Sequence, residues 1–485
     1  MLAVSRLSSP VFRLWSNMQT RNHACSASDL DLARHYAPVI YFDAAEPFLP
    51  LYAGYTVFRS TGPSPSFPRY VSFEQPAVLA IEYAIWWDWD IQHLYELEHA
   101  WVFVDGAGAV VSVESSQHGA SAASEFALED GRPVLYAEPG KHALSSDRAC
   151  LLERKSRTAL ECGPRAGFGG VWITPLFRGR IAVKNPIADQ LVRTHLRRLA
   201  FEPRFEWSQR VEVGGLPLMP WPLLDAAIPS IVAARVAELE GAIPYEQRHV
   251  LHVGHRGASA HAPENTLAAI RKASELGAHL VELDVRMSAD DVPVLAHDAH
   301  LDVPGRGRLP IQALTAVQLA ALTGDYETSV PRLDDALDLC RQLGLGPYLE
   351  IKEGATVEPT VATLSGRDLA KYSVVGSFNP AWVARATDRA PQIATSILFG
   401  AFDADPVALA RGCGARYVHP CWERHAAPHT LLTPEWLAQV WNAGLGIVCW
   451  HEERPAVLDA LLRLGVSAIC TDRLDLIAEA AERLS

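Results

Sequence analysis

From His249 onward the chain alternates short apolar runs, each ending in polar residues, with amphipathic segments. The runs are Val250–His255, Leu280–Val285, Tyr348–Ile351, Ser373–Phe378, Ala394–Phe399, Arg416–His419, Gly446–Trp450 and Ala468–Thr471. Between most of them lie segments of helical spacing: Ala262–Leu276, Leu333–Leu343, Pro380–Arg389, Pro406–Gly412, Pro434–Asn442 and Arg454–Leu464. Strand and helix in strict alternation specify a parallel α/β fold. Eight strands in about 237 residues come close to the ~250 residues of a closed (β/α)8 TIM barrel. An extra run, Val292–His297, follows the turn Ser288–Asp291 too closely for a helical crossover and is expected to form a hairpin arm.

The expected architecture is therefore an α/β TIM barrel with a hairpin arm over residues 248–485, preceded by a different domain over residues 29–247. That first domain reads as β-rich, sandwich-like and α+β. Pro38–Phe42, Ala100–Val104 and Pro133–Ala137 are strand-like and are separated by Gly-Pro and Asp-Gly turn signals. Ile187–Ala200 and Leu223–Leu239 have helical spacing and close the domain, and Ala242–Gln247 is the linker. Residues 1–28 hold three arginines and no acid, and are expected to be a disordered or mis-called tail.

Composition removes several function classes. The net charge of −13 has the wrong sign for a bulk nucleic-acid binder. No apolar stretch reaches the ~18–20 residues of a membrane span. The eight cysteines are scattered singly with no Cys-x-x-Cys, so they read as thiols of a reducing, cytoplasmic compartment.

In a barrel of this kind the reactive side chains stand at the C-terminal ends of the strands. Reading only those ends gives His255 and Arg256, Glu282 and Asp284, Glu350 and Lys352, then Trp450 and Asp472, with His297 and Asp298 on the arm. Glu282 and Asp284 are two apart on one strand and share a face. In a closed barrel that face is the interior, where charge is costly unless it binds something. Carboxylates on neighbouring strands suit a hard divalent cation, Mg2+ or Ca2+, held through oxygen. Arg256 and Lys352 suit a phosphate, and two histidines beside it suit general acid and base work. The set describes metal-assisted phosphodiester cleavage.

These residues fall in an ordered series: His255-Arg256-Gly257, Ala262-Pro263-Glu264-Asn265-Thr266, Glu282-Leu283-Asp284, His297-Asp298, Leu349-Glu350-Ile351-Lys352 and Thr471-Asp472-Arg473. The series resembles the glycerophosphodiester phosphodiesterases over about 249–485. The resemblance implies a catalytic pair, His255 and His297, and metal ligands Glu282, Asp284 and Glu350. It implies that Arg256 and Lys352 touch the phosphate and that Trp450 lines the substrate mouth. Glu264 and Asn265 read as supports behind these residues, one of them capping the helix that begins near Thr266. The chain departs from the family at His451-Glu452-Glu453, where a Thr-Val-Asn-like segment is usual, and at Leu474, where proline is usual. The first departure adds a third histidine and two acids and leaves the selectivity for the alcohol group open.

In the first domain, Trp86 to His93 and Glu96 to His99 interleave acids, imidazoles and indoles. The cluster loosely resembles vacuolar-sorting and necrosis-inducing β-sandwich proteins, which implies a cation site at His93, Glu96 and Glu98. A polar network bracing a tryptophan-rich core accounts for the same residues. The expected function is hydrolysis of a small glycerophosphodiester of the glycerophosphocholine or glycerophosphoethanolamine type to an alcohol and glycerol phosphate. The alternatives are a phospholipase D-like, sphingomyelin- or lysophospholipid-directed diesterase on the same barrel, and an inactive binder of a phosphorylated headgroup. The first domain is left with substrate access, homo-oligomer contact or lipid-surface contact as its roles.

Overall fold

The structure is a computed structural model that describes residues 27–484 except 124, 304 and 368. Residues 1–26, and with them most of the expected tail, lie outside the described residues. Two compact units are present, one of residues 1–184 and 191–242, the other of residues 185–190 and 243–485.

The first unit is strand-rich, with a five-stranded and a six-stranded sheet. Its longest strands are the antiparallel pair Ala77–Trp89 and Leu94–Asp105. The Trp86 to Asp90 segment was expected to precede a strand; instead its tryptophans lie inside one, and Glu96 and Glu98 lie inside the next. Over most of this 13-residue strand both faces are buried, which removes the apolar–polar alternation by which a strand is read from sequence.

In the second unit eight parallel strands close into a ring: β1 (Leu251–Gly254), β2 (Leu280–Met287), β3 (Gly346–Ile351), β4 (Val374–Ser377), β5 (Ala394–Phe399), β6 (Tyr417–Pro420), β7 (Gly446–Cys449) and β8 (Ala468–Thr471). Each pairs with the next, and β1 pairs with both β2 and β8, which closes the cylinder. The expected arm is present as Pro293–Leu295, antiparallel to the end of β2.

Alternate residues of each strand serve different cores. Val281, Leu283 and Val285 face the outer layer of helices, as do Leu349, Ile351, Val418 and Ile447. Leu251, Val253, Leu280, Tyr348, Val448 and Cys470 fill the lumen. The helix Leu333–Leu343 illustrates the outer layer. Leu333, Ala336, Leu337 and Cys340 form one buried stripe, Asp334 and Asp335 sit in its first turn, and Gly344 ends it in the left-handed region at φ 65°. Burying each leucine of that stripe contributes about 1.5–3 kcal/mol, so Leu337→Asp would undock the helix.

One expected helix starts later than its sequence pattern. Ala262–Leu276 reduces to Leu267–Glu275, capped by the Thr266 hydroxyl, which accepts from the Ala269 N–H. Neither Glu264 nor Asn265 is the cap, because Asn265 adopts φ 56° and turns its amide elsewhere. Helices Ala316–Thr323, Val357–Gly366 and Leu474–Leu484 have no counterpart in the sequence reading.

Candidate active site

The register of the ring sets the site. His255 continues β1 beyond Gly254, which pairs with Val281, and Asp284 of β2 pairs with Glu350 of β3. Glu282, Asp284 and Glu350 are all buried, and each offers one oxygen such that the three lie within 4.8 Å of one another. The sequence-based grouping of these carboxylates is thus met in space. Lys352 places Nζ 3.0 Å from Asp284 Oδ1 and 2.6 Å from Glu350 Oε1.

Arg256 bends back over the trio in the left-handed region at φ 52°. Its N–H donates to Glu282 Oε2 at 3.0 Å, and its guanidinium Nε lies 3.5 Å from Asp284 Oδ2. Gly257 follows at φ 89°, where an added Cβ would lie 2.5 Å from that of Ala269. The tight turn after β1 therefore needs glycine there. Asn265 grips Asp284 at two points: its Nδ2 donates to Oδ2 at 2.8 Å, and its Oδ1 accepts from the Asp284 N–H at 3.0 Å. Glu264 accepts from Arg256 Nη1 at 2.8 Å. Asn265 thus contacts the trio directly, whereas the half-exposed Glu264 reaches it only through Arg256.

Three carboxylate oxygens in this cage, Glu282 Oε1, Asp284 Oδ1 and Glu350 Oε2, are buried and accept no hydrogen bond, the second facing the Lys352 ammonium at 3.0 Å as an ion pair. Burial, with Asp284 and Glu350 nearby, pushes Glu282 well above the usual carboxylate range. Burial likewise raises Glu350 to about 7, against the pull of Lys352. Burial works against Asp284 too, but Lys352 and Arg256 hold it below its ordinary value. An excess of buried negative charge with unpaired oxygens is the environment of a hard cation. The donor set is all carboxylate oxygen, which fits Mg2+ or Ca2+ and not a soft metal.

His255 is buried, and its Nδ1 lies 2.6 Å from Asp472 Oδ1, which also accepts from the Ser259 hydroxyl at 2.6 Å. Burial lowers the His255 pKa, partly offset by Asp472. Burial opposes ionisation of Asp472, yet the bonds from His255 and Ser259 hold it down at about 2. An ionised Asp472 accepts only, so Nδ1 carries the proton and the lone pair sits on Nε2, which has no hydrogen-bond partner. The edge of Trp450 meets the ring at 5.0 Å and His451 stacks on it at 4.8 Å. The sequence reading ended strand eight on Asp472 without giving it a role. Closure of the ring, which sets β8 beside β1, was the signal available.

His297 stands on the arm, half-buried, with Nδ1 2.8 Å from Asp298 Oδ1. The arm is tied to β2 where the Ala296 N–H donates to the Asp284 carbonyl at 3.0 Å. Arg286 donates to the His297 carbonyl at 2.9 and 2.7 Å.

One further imidazole faces the lumen. His419 of β6 pairs its Nδ1 with the Tyr348 hydroxyl of β3 at 2.7 Å. The tyrosine reaches across β4 only because Gly376 leaves room, since a Cβ there would lie 2.9 Å from the hydroxyl. His419 in turn meets the Trp450 ring at 4.9 Å.

In the first unit, Glu96 is shared by two clusters whose candidate ligand atoms lie within 4.8 Å: Asp90, His93 and Glu96, and Glu96, Glu98 and His118. His93 and Glu98 thus approach the same glutamate from different clusters. Lys141 Nζ lies 2.8 Å from Asp90 Oδ1, Glu98 accepts from Ser116, and His118 pairs with Glu138 at 3.0 Å.

The glycerophosphoryl diester phosphodiesterase family matches residues 255–476. The C-terminal half is a domain of that family. By family the phosphodiesterase domain is a phosphoric diester hydrolase. The chain is 25% identical over 234 residues to the glycerophosphodiester phosphodiesterase of Caldanaerobacter subterraneus subsp. tengcongensis, covering 46% of this chain and 93% of that protein. It is 36% identical over 151 residues to human glycerophosphodiester phosphodiesterase 1, covering 28% of this chain and 46% of the human protein. The crystal structure of glycerophosphodiester phosphodiesterase from Agrobacterium tumefaciens aligns with a TM-score of 0.42 at 27% identity, over 48% of this chain and 100% of that one. Among the described residues no helix is long and apolar enough to cross a membrane.

Proposed function

We propose that the barrel is a divalent-cation-dependent phosphodiesterase that hydrolyses glycerophosphodiesters, of the glycerophosphocholine or glycerophosphoethanolamine type, to an alcohol and glycerol phosphate. The observation that carries this reading is the set of buried carboxylate oxygens without a hydrogen bond on Glu282, Asp284 and Glu350, with Arg256 and Lys352 beside them. Glu282, Asp284 and Glu350 would hold Mg2+ or Ca2+, which when bound supplies positive charge to the phosphoryl oxygens.

The chain's own groups do the rest. Arg256 and Lys352 bind the non-bridging phosphate oxygens and orient phosphorus. His255, with Asp472 fixing its tautomer, takes a proton of the attacking water on Nε2. A new P–O bond forms, the P–O bond to the alcohol breaks, and His297 returns a proton to the departing oxygen. The half-buried indole of Trp450 walls the mouth and limits water around the reacting groups.

A binder of phosphorylated headgroups is the alternative from another class. The His255–Asp472 dyad favours the enzyme, because holding a phosphate needs no oriented base. A phospholipase D-like or sphingomyelin-directed diesterase uses the same groups and differs in what the mouth admits. The free state of all seven described cysteines fits a reducing, cytoplasmic setting. The test is turnover of glycerophosphocholine with Mg2+ or Ca2+, with chelator, and in His255→Ala. Loss of glycerol phosphate release in the last two supports the reading; release that survives either one overturns it.

A further inference from the structure

The reaction scheme leaves His419 unused. The side chain is 1% exposed, and Nδ1 pairs with the Tyr348 hydroxyl at 2.7 Å. The other ring nitrogen, Nε2, is buried and has no hydrogen-bond partner among the described residues. An imidazole that merely filled the lumen would carry that unmet polar atom at a cost, which an apolar side chain avoids.

The pairing fixes what Nε2 offers. Among the described residues, Nδ1 is the hydrogen-bond partner of the Tyr348 hydroxyl. If the hydroxyl donates, Nδ1 accepts, Nε2 carries the proton, and a single polar group is left unmet. If the ring donated instead, the phenolic proton and the Nε2 lone pair would both be stranded. The first arrangement leaves fewer buried groups unsatisfied. Burial, with the charge of His255 adding to it, keeps the His419 ring neutral, and burial keeps Tyr348 protonated. Nε2–H is thus an oriented, neutral donor.

Its place is beside the reacting groups. Trp450 touches both rings, His419 at 4.9 Å and His255 at 5.0 Å. Cys421, two residues beyond His419, pairs with Trp450, and Tyr348 pairs with Glu282 across β2 and β3. Arg256 and Lys352 answer the charge of a phosphate. Beyond its phosphate, a glycerophosphodiester carries two free hydroxyls on the glycerol, and an uncharged donor suits a hydroxyl oxygen.

We infer that His419 is a specificity-determining residue whose Nε2–H donates to a free hydroxyl of the glycerol moiety, so that this ring distinguishes a polyol ester from a simple alkyl ester. The inference rests on the diesterase reading above and adds a residue to its substrate site.

The test compares glycerophosphocholine with propylphosphocholine, which keeps the three carbons and the phosphocholine but has no free hydroxyl, in the full chain with Mg2+ or Ca2+. The wild type should favour the glycerol ester in kcat/KM by roughly 10- to 100-fold, because the analogue leaves a buried donor unmet. His419→Gln can place an amide N–H where Nε2–H stood and should retain the preference. His419→Asn is too short to do so and should lose it. Partial unfolding lowers both rates alike and cancels in the ratio. A wild type without the preference, or equal ratios in the two variants, overturns the inference. If either variant fails to fold, a crystal structure of the wild type with sn-glycerol 3-phosphate decides. A glycerol oxygen within about 3.2 Å of Nε2 upholds the contact, and a longer separation overturns it. If the wild type cleaves neither diester, the diesterase reading fails instead. His419 is then judged by calorimetry with sn-glycerol 3-phosphate against propyl phosphate: tighter binding of the glycerol ester that is lost in His419→Asn upholds the inference, and equal binding overturns it.

Discussion

Nδ1 of His255 and Oδ1 of Asp472 stand 2.6 Å apart, although 217 residues separate them along the chain. The ring brings them together by pairing its first strand with its last. Because the carboxylate fixes the proton on Nδ1, Asp472→Asn should leave the fold and KM nearly unchanged and lower kcat by roughly 10²- to 10⁴-fold. Steady-state kinetics with glycerophosphocholine would check this, and a variant with wild-type kcat would contradict it.

The same pair sets a pH dependence. Burial puts the His255 pKa below its ordinary value, so the base is unprotonated at neutral pH and activity should fall as pH drops through a point below ~6.5. His451, stacked on the ring, contributes to that lowering. In His451→Phe the aromatic stack is kept and the charge removed, so the acidic limb should move to higher pH. In Asp472→Asn it should move the other way, because the carboxylate favours the imidazolium. Stability has its own window. The Asp472 carboxyl is depressed to about 2, so its contribution is complete above the unfolded value of ~3.9 and is lost as pH falls through about 2.

Cation removal should destabilise the protein measurably. A ligand bound only to the native state adds about 2.7 kcal/mol at a hundredfold excess over its Kd. Calorimetry should show the midpoint rising with Ca2+ or Mg2+ and falling back with chelator. Glu282→Gln removes one of three crowded buried charges, so it should raise the cation-free midpoint while abolishing the cation-dependent rise. A rise that persists in this variant would place the cation elsewhere.

The Asn265 side chain makes both of its bonds to Asp284, donating to the carboxylate and accepting from the backbone N–H. Asn265→Ala leaves a buried donor and acceptor unmet, at about 1–3 kcal/mol. It should also weaken cation affinity by roughly 10- to 100-fold, as loss of a support behind a ligand does. Urea denaturation and cation titration would separate the two effects.

What the sequence disclosed follows from what repeats locally. Leu280 to Val285 alternates lumen and outer faces, so the spacing of Glu282 and Asp284 alone puts both on one side. The arm followed from a turn too short for a helix. What stayed hidden depends on partners far along the chain. The hydrogen bond between Tyr348 and His419 spans 71 positions and relies on a glycine of a third strand. Thr266, not Asn265, caps its helix, because the dihedral at Asn265 answers to Asp284 and not to the helix. The long strand Ala77–Trp89 is obscured because both of its faces are largely buried, Glu82 and Asp88 among them, so the alternation that betrays a strand is missing.

His297 is carried by an outrigger and not by a stave of the cylinder, joined through three residue pairs at the tip of β2, the carbonyls of Asp284 and Pro331, and the Arg286 guanidinium on the His297 carbonyl. Such an appendage can swing loose while every rung of the closed ring is still in place. On gentle warming, the catalyst would then fall silent some degrees before its scaffold melts, and would recover at once on cooling.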